Sequence, residues 1–214
     1  MVNAPALTRP RLRGVSHELA FFAALGAGAV LVALAPPGAR AAAAVYGASL
    51  ATMLGVSALY HRATWSPGPR TWMRRLDHAA IFVLVAGTYT PFALLLGDRG
   101  PTVLALAWGG AFLGILQSLF WVNAPRSLVV CLYVALGWAV AVFWPALHAA
   151  LGVPALSALV LGGVLYSIGA VVYAARRPDP SPAVFGYHEI FHAFVIAAAI
   201  CHFAVVVAVM RSLR

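Results

Sequence analysis

Ser57-Ala58-Leu59-Tyr60-His61 closes one apolar stretch of the chain, and His188-Glu189-Ile190-Phe191-His192 opens another far downstream. Asp77 lies between them at the start of a third. Histidines four positions apart project from the same side of a helix, one turn above the other, as a pair of metal ligands requires. His61 can add a third nitrogen. Three neutral imidazoles that leave a fourth position open suit a catalytic Zn²⁺, whose bound water ionises near neutral pH. Asp77 would then either anchor this arrangement or receive the water's proton, and Ser57, one helical turn deeper than His61, would hold the water or a substrate. Imidazole and carboxylate are costly in hydrocarbon, so in an apolar chain they mark a site rather than a surface.

The elements that must position these groups follow from composition. Of 214 residues, 63% are hydrophobic and 9% charged, with a mean hydropathy of +0.93, which excludes a water-soluble domain of this size. A bilayer core ~30 Å thick needs roughly 20 helical residues. By that ruler seven spans are expected near 17–35, 41–61, 77–96, 102–121, 127–147, 153–174 and 188–210. They are separated by Pro- and Gly-bearing breaks such as Pro36-Pro37-Gly38, Ser66-Pro67-Gly68-Pro69 and Pro178-Asp179-Pro180-Ser181-Pro182. The segments are too long and too continuously apolar for barrel strands, so the fold class is all-α, a transmembrane bundle. The expected organisation is a tail over 1–16, one membrane domain over 17–210 and a short tail over 211–214. Gly110 and Gly114 permit close helix approach, a spacing common in apolar sequence and no proof of a dimer.

All fourteen basic residues are arginine, and against five acids they give a net charge of +9. Because they fall between apolar segments, topology and anionic head groups account for them, and nucleic acid does not. With the amino terminus inside, Arg9, Arg11, Arg13, Arg62, Arg70, Arg74, Arg75, Arg126, Arg176 and Arg177 are cytoplasmic, and Arg40, Arg99, Arg211 and Arg214 are outside. That asymmetry favours an N-in, C-out cell-membrane protein. The competing reading of residues 1–41 as a signal peptide, with Ala33-Leu34-Ala35 at its end, is weaker because the apolar run is long enough to span. Cys131 and Cys201 lie in apolar runs and form no metal-binding or disulfide pattern.

This topology brings His61, Asp77, His188 and His192 from three helices to one membrane face. Other polar residues fit the site less well. Glu189 points about 100° away from His188, which suggests helix pairing or solvent exposure. His78 faces elsewhere on its span, His148 is interfacial on the opposite side, and His202, ~15 Å further along its helix, suits an interhelical hydrogen bond.

These residues also resemble the hemolysin III proteins of the progestin and adipoQ receptor superfamily. The likeness rests on Ser57-x3-His61, on Arg75-Leu76-Asp77-His78 followed by Gly87-Thr88-Tyr89-Thr90-Pro91, and on His188-x3-His192, in that order over seven spans. It covers about residues 11 to 210. The resemblance implies a cytoplasmic-side zinc held by His61, His188 and His192, with Asp77 reaching it through water and Ser57 nearby. It also implies three different activities: ceramidase-type hydrolysis in the related adiponectin receptors, a link to membrane state in bacterial relatives, and the pore formation recorded in the family name. Many members carry Glu-x2-Asn-x3-His at the first span; here Pro10 and Arg13 stand at the first two positions and only His17 matches, so no catalytic duty falls to it.

Three functions follow. A zinc-dependent hydrolase of a lipid amide or ester would use Asp77 to relay a proton, with a membrane lipid as the partner. A sensor with structural zinc would close the metal shell with a fourth protein ligand. A pore would line several spans with polar residues, whereas spans four to six offer little beyond Gln117, Ser118, Ser157 and Ser167. Nothing in the sequence fixes an oligomeric state.

Overall fold

The computed structural model describes residues 10–214; Arg9 and most of the amino-terminal tail lie outside them. The described residues form helices α1 (Val15–Leu34), α2 (Arg40–Arg62), α3 (Pro67–Ala93), α4 (Gly100–Phe120), α5 (Arg126–Trp138), α6 (Trp144–Ala150), α7 (Val153–Ala175) and α8 (Tyr187–Ser212). With short flanking 3-10 turns, and α5 and α6 taken together, they make seven segments long and apolar enough to cross a membrane. The outward faces explain the medium they need: Leu19, Phe22, Leu113 and Phe120 are all more than 60% exposed. Each such side chain forgoes about 1.5–3 kcal/mol of burial in water, a penalty that hydrocarbon removes.

Two local differences from the expected spans have clear causes. The Ser66-Pro67-Gly68-Pro69 stretch was expected to separate helices, but Ser66 is the extended N-cap and Pro67 opens α3. Proline is tolerated in a first helical turn because those N–H groups have no intrahelical acceptor. As a result α3 begins ten residues before Asp77, and its first turns carry Arg70, Arg74 and Arg75. Span five, expected to be continuous, is broken: a 3-10 stretch over Ala139–Phe143 separates α5 from α6. Pro145 cannot donate to the preceding turn, and it enters α6 at the helix start. The carbonyls at the end of α5 are met from α3, where the Tyr89 hydroxyl lies 2.7 Å from the Leu136 oxygen and 3.0 Å from that of Gly137.

Helix α8 lies against α1, α2, α3 and α7, which makes its amino-terminal end the meeting point of the bundle. α1 and α2 approach closely where Gly28 faces Gly47; a Cβ on Gly28 would stand 3.4 Å from the Gly47 Cα. Gly110 and Gly114 are used inside the bundle: side chains added there would collide with Leu136 and Phe82.

Candidate metal centre

In the last turn of α2, His61 is buried and its Nε2 lies 3.1 Å from Nε2 of His188, in the first turn of α8. His192, one turn on, is 1% exposed. Ligand atoms from these three imidazoles all fall within 4.8 Å of one another. The i, i+4 spacing puts both α8 rings on one face, and the bundle brings α2 to them. Asp77 of α3 completes the sequence-derived set, with Oδ2 3.8 Å from His61 Nε2.

The donor set fits a metal ion. Three imidazoles crowd their nitrogens together, and His192 Nδ1 is buried with no hydrogen-bond partner among the described residues. Buried polar atoms in native proteins are nearly always satisfied, so an orphan within such a cluster indicates a missing partner. Asp77 stands outside the three-histidine group, so among the described residues no fourth carboxylate, thiolate or imidazole closes it.

The structure buries two residues that the sequence reading left outside the site. His17, given no catalytic duty from sequence, is 2% exposed, and its ring stacks on that of His192 with centroids 3.7 Å apart and planes 5° from parallel. Its Nδ1 lies 2.9 Å from Ser57 Oγ, and that hydroxyl also faces the Asp77 carboxyl. The retained histidine of the otherwise lost amino-terminal motif was the available signal. Glu189, expected to pair helices or face solvent, is 3% exposed. One of its oxygens accepts the Gly186 N–H at 2.8 Å, capping α8, and the other pairs with Arg13.

Arg13 belongs to a segment that crosses the end of the site. Arg11 and Leu12 donate backbone N–H bonds to Ala183 and Val184 in the loop before α8. Gly14 then turns the chain into α1 with φ +81°, and a Cβ there would lie 2.7 Å from that of His61. Both the left-handed backbone and the close approach call for glycine.

The remaining histidines are dispersed. His202 makes the expected interhelical contact, Nε2 to the Leu159 carbonyl at 3.3 Å. His148 is exposed on α6. His78 lines the cavity, and its backbone carbonyl accepts the Tyr133 hydroxyl.

From the three histidines a cavity of about 950 Å³ extends between α3, α5, α7 and α8. Its deep wall is apolar, formed in part by Ile81, Leu84, Val130, Val134 and Val195. The histidines, Asp77, Arg70, Arg74 and Arg126 make the rest of its lining polar.

Seven apolar helices and a three-histidine cluster that could hold a metal ion define a multi-pass membrane protein with a candidate metal site. Residues 6–203 match the family described as Haemolysin-III related. The chain is 34% identical to the Hemolysin-3 homolog of Bacillus subtilis (strain 168) over 161 residues, 74% of this chain and 72% of that protein. It is likewise 34% identical to Hemolysin-3 of Bacillus cereus over 157 residues, 72% of this chain and 68% of the relative. A shorter match, 47% over 49 residues, covers 21% of this chain and 16% of the ADIPOR-like receptor IZH2 of Saccharomyces cerevisiae (strain ATCC 204508 / S288c). The chain belongs to the haemolysin III family of the progestin and adipoQ receptor superfamily.

Proposed function

We propose that this protein is a zinc-dependent hydrolase of an amide or ester bond in a membrane lipid, with its site at the cytoplasmic face of the cell membrane in an N-in, C-out topology. The observation that carries the reading is the continuity between an open three-histidine cluster and a large cavity with apolar walls. His61, His188 and His192 would hold the ion. Zinc, when bound, polarises a carbonyl and makes water a nucleophile near neutral pH.

The chain's own residues do the rest. The apolar wall receives an acyl chain and sets the scissile carbonyl beside the histidines, excluding bulk water from the reaction. Asp77 accepts the proton of the attacking water and returns it to the departing amine or alkoxide as the acyl C–N or C–O bond breaks, so that the water's hydroxyl ends in the carboxylic acid and its proton on the leaving group. The Ser57 hydroxyl, held by His17, orients the Asp77 side of the site.

A second reading, a membrane-state sensor with structural zinc, draws on the His17–His192 stack, which ties α1 to α8 at the centre itself. Asp77→Asn separates the two. For a hydrolase, zinc content stays near wild type because no ligand is lost, while release of fatty acid from a ceramide, ester and phospholipid panel disappears. Zinc-loaded wild type that releases no fatty acid from the panel sinks the hydrolase and leaves the sensor.

A further inference from the structure

The inner mouth of the cavity is built for negative charge. Arg70, Arg74 and Arg126 line it together with Arg13, whose charge Glu189 already offsets. Two are fixed in place. Arg74 donates to the Val122 carbonyl at 2.8 Å and reaches the Asn123 amide oxygen at 3.5 Å. Arg126 donates to the Tyr173 carbonyl at 3.3 Å, with its guanidinium carbon 4.7 Å from the centroid of the Tyr173 ring. Both are partly buried, and among the described residues no salt bridge joins either to a carboxylate. The carboxylates on the cavity wall are committed: Asp77 faces His61, and Asp179 accepts the Tyr187 N–H at 3.0 Å.

Position links this charge to the metal centre. The Tyr173 ring that carries Arg126 lies 5.6 Å, centroid to centroid, from that of His188. Arg126 therefore sits one aromatic ring away from a metal-binding imidazole and opens into the same cavity. Arginines serving topology alone can point freely into head groups and water, as the exposed Arg176 and Arg177 do at the end of α7. Guanidinium groups held by carbonyls and a tyrosine face, with N–H donors to spare and no carboxylate partner among the described residues, have the chemistry that binds phosphate.

We propose that Arg74 and Arg126 form a cradle for the phosphate of an anionic phospholipid head group, placing that lipid's acyl ester at the three-histidine centre. This rests on the hydrolase reading for the fate of the ester, but the binding claim stands on its own. It narrows the substrate class from any lipid amide or ester to a phosphate-bearing one.

The test is binding, read by native mass spectrometry of the purified full-length protein released from micelles. The probes are phosphatidylglycerol, diacylglycerol with the same chains, and inorganic phosphate. Wild type should retain phosphatidylglycerol about tenfold more tightly than diacylglycerol, the scale of one lost charge-assisted contact. Arg74→Gln and Arg126→Gln, singly and together, should erase that preference while leaving zinc content and diacylglycerol binding unchanged. Arg176→Gln/Arg177→Gln, on the same face but outside the cavity, should keep it. Equal retention of the two lipids by wild type, an unaltered preference in the cradle variants, or an equal loss in the Arg176/Arg177 variant would each overturn the proposal. So would protection by inorganic phosphate without lipid preference. If the double variant does not fold, the two single variants carry the test, each expected to weaken the preference. Arginine-dependent binding without hydrolysis removes the enzyme and retains the cradle; hydrolysis of neutral lipids alone does the reverse.

Discussion

The ring of His17 lies flat on that of His192, 3.7 Å between centroids, so a residue of the first helix supports a candidate metal ligand on the last. Through its Nδ1 contact with Ser57, His17 joins both polar parts of the site.

The stack and the hydrogen bond can be separated. His17→Phe keeps an aromatic face against His192 but loses the Ser57 contact; His17→Ala loses both and leaves a cavity. Thermal melts in detergent should rank wild type above Phe and Phe above Ala, with Ala lower by roughly 2 kcal/mol, the sum of a buried hydrogen bond and a ring contact. Zinc retention should follow the same order. An alanine variant as stable and metal-replete as wild type contradicts the supporting role.

Each of His61→Ala, His188→Ala and His192→Ala should lower zinc per chain sharply, measured by elemental analysis after dialysis. Each should also shrink the thermal stabilisation gained on adding zinc, because binding to the folded bundle alone stabilises it by mass action. His148→Ala, exposed on α6, serves as the control and should change neither. Full occupancy in His188→Ala/His192→Ala would refute the ligand assignment.

Glu189 and Arg13 form a buried pair of unequal burial, with side chains 3% and 17% exposed. Arg13→Ala should destabilise by about 3 kcal/mol, the low end for breaking a buried pair because Arg13 is partly exposed, since it leaves a carboxylate in the interior without its cation. Adding Glu189→Gln should recover part of that loss, because glutamine keeps an oxygen for the Gly186 N–H and carries no charge. A double variant less stable than Arg13→Ala alone would show that the pair is not what holds this segment down.

Topology is testable independently of chemistry. Reporters at Ser66 and Ser181 should read as cytoplasmic, and one after Arg214 as extracytoplasmic, from the arginine asymmetry. Opposite locations for the Ser66 and Ser181 loops would be incompatible with a site shared by α2, α3 and α8.

The sequence by itself determined the apolar helices, their approximate ends and the three-histidine set. Helix periodicity aligns His188 with His192, and alternating span direction carries His61 and Asp77 to the same end. What the tertiary structure decided lies between helices. The burial of His17 and Glu189, the glycine turn at Gly14 and the approach of Arg74 and Arg126 to one cavity depend on which faces pack together. Neither spacing nor composition encodes that, because in a chain apolar on nearly every side the hydrophobic pattern does not distinguish a lipid-facing surface from a buried one. The local breaks were misread for a related reason. Proline at Pro67 and Pro145 marks where a helix cannot continue from the preceding residues, and only the surrounding carbonyl partners show whether it ends one helix or begins the next.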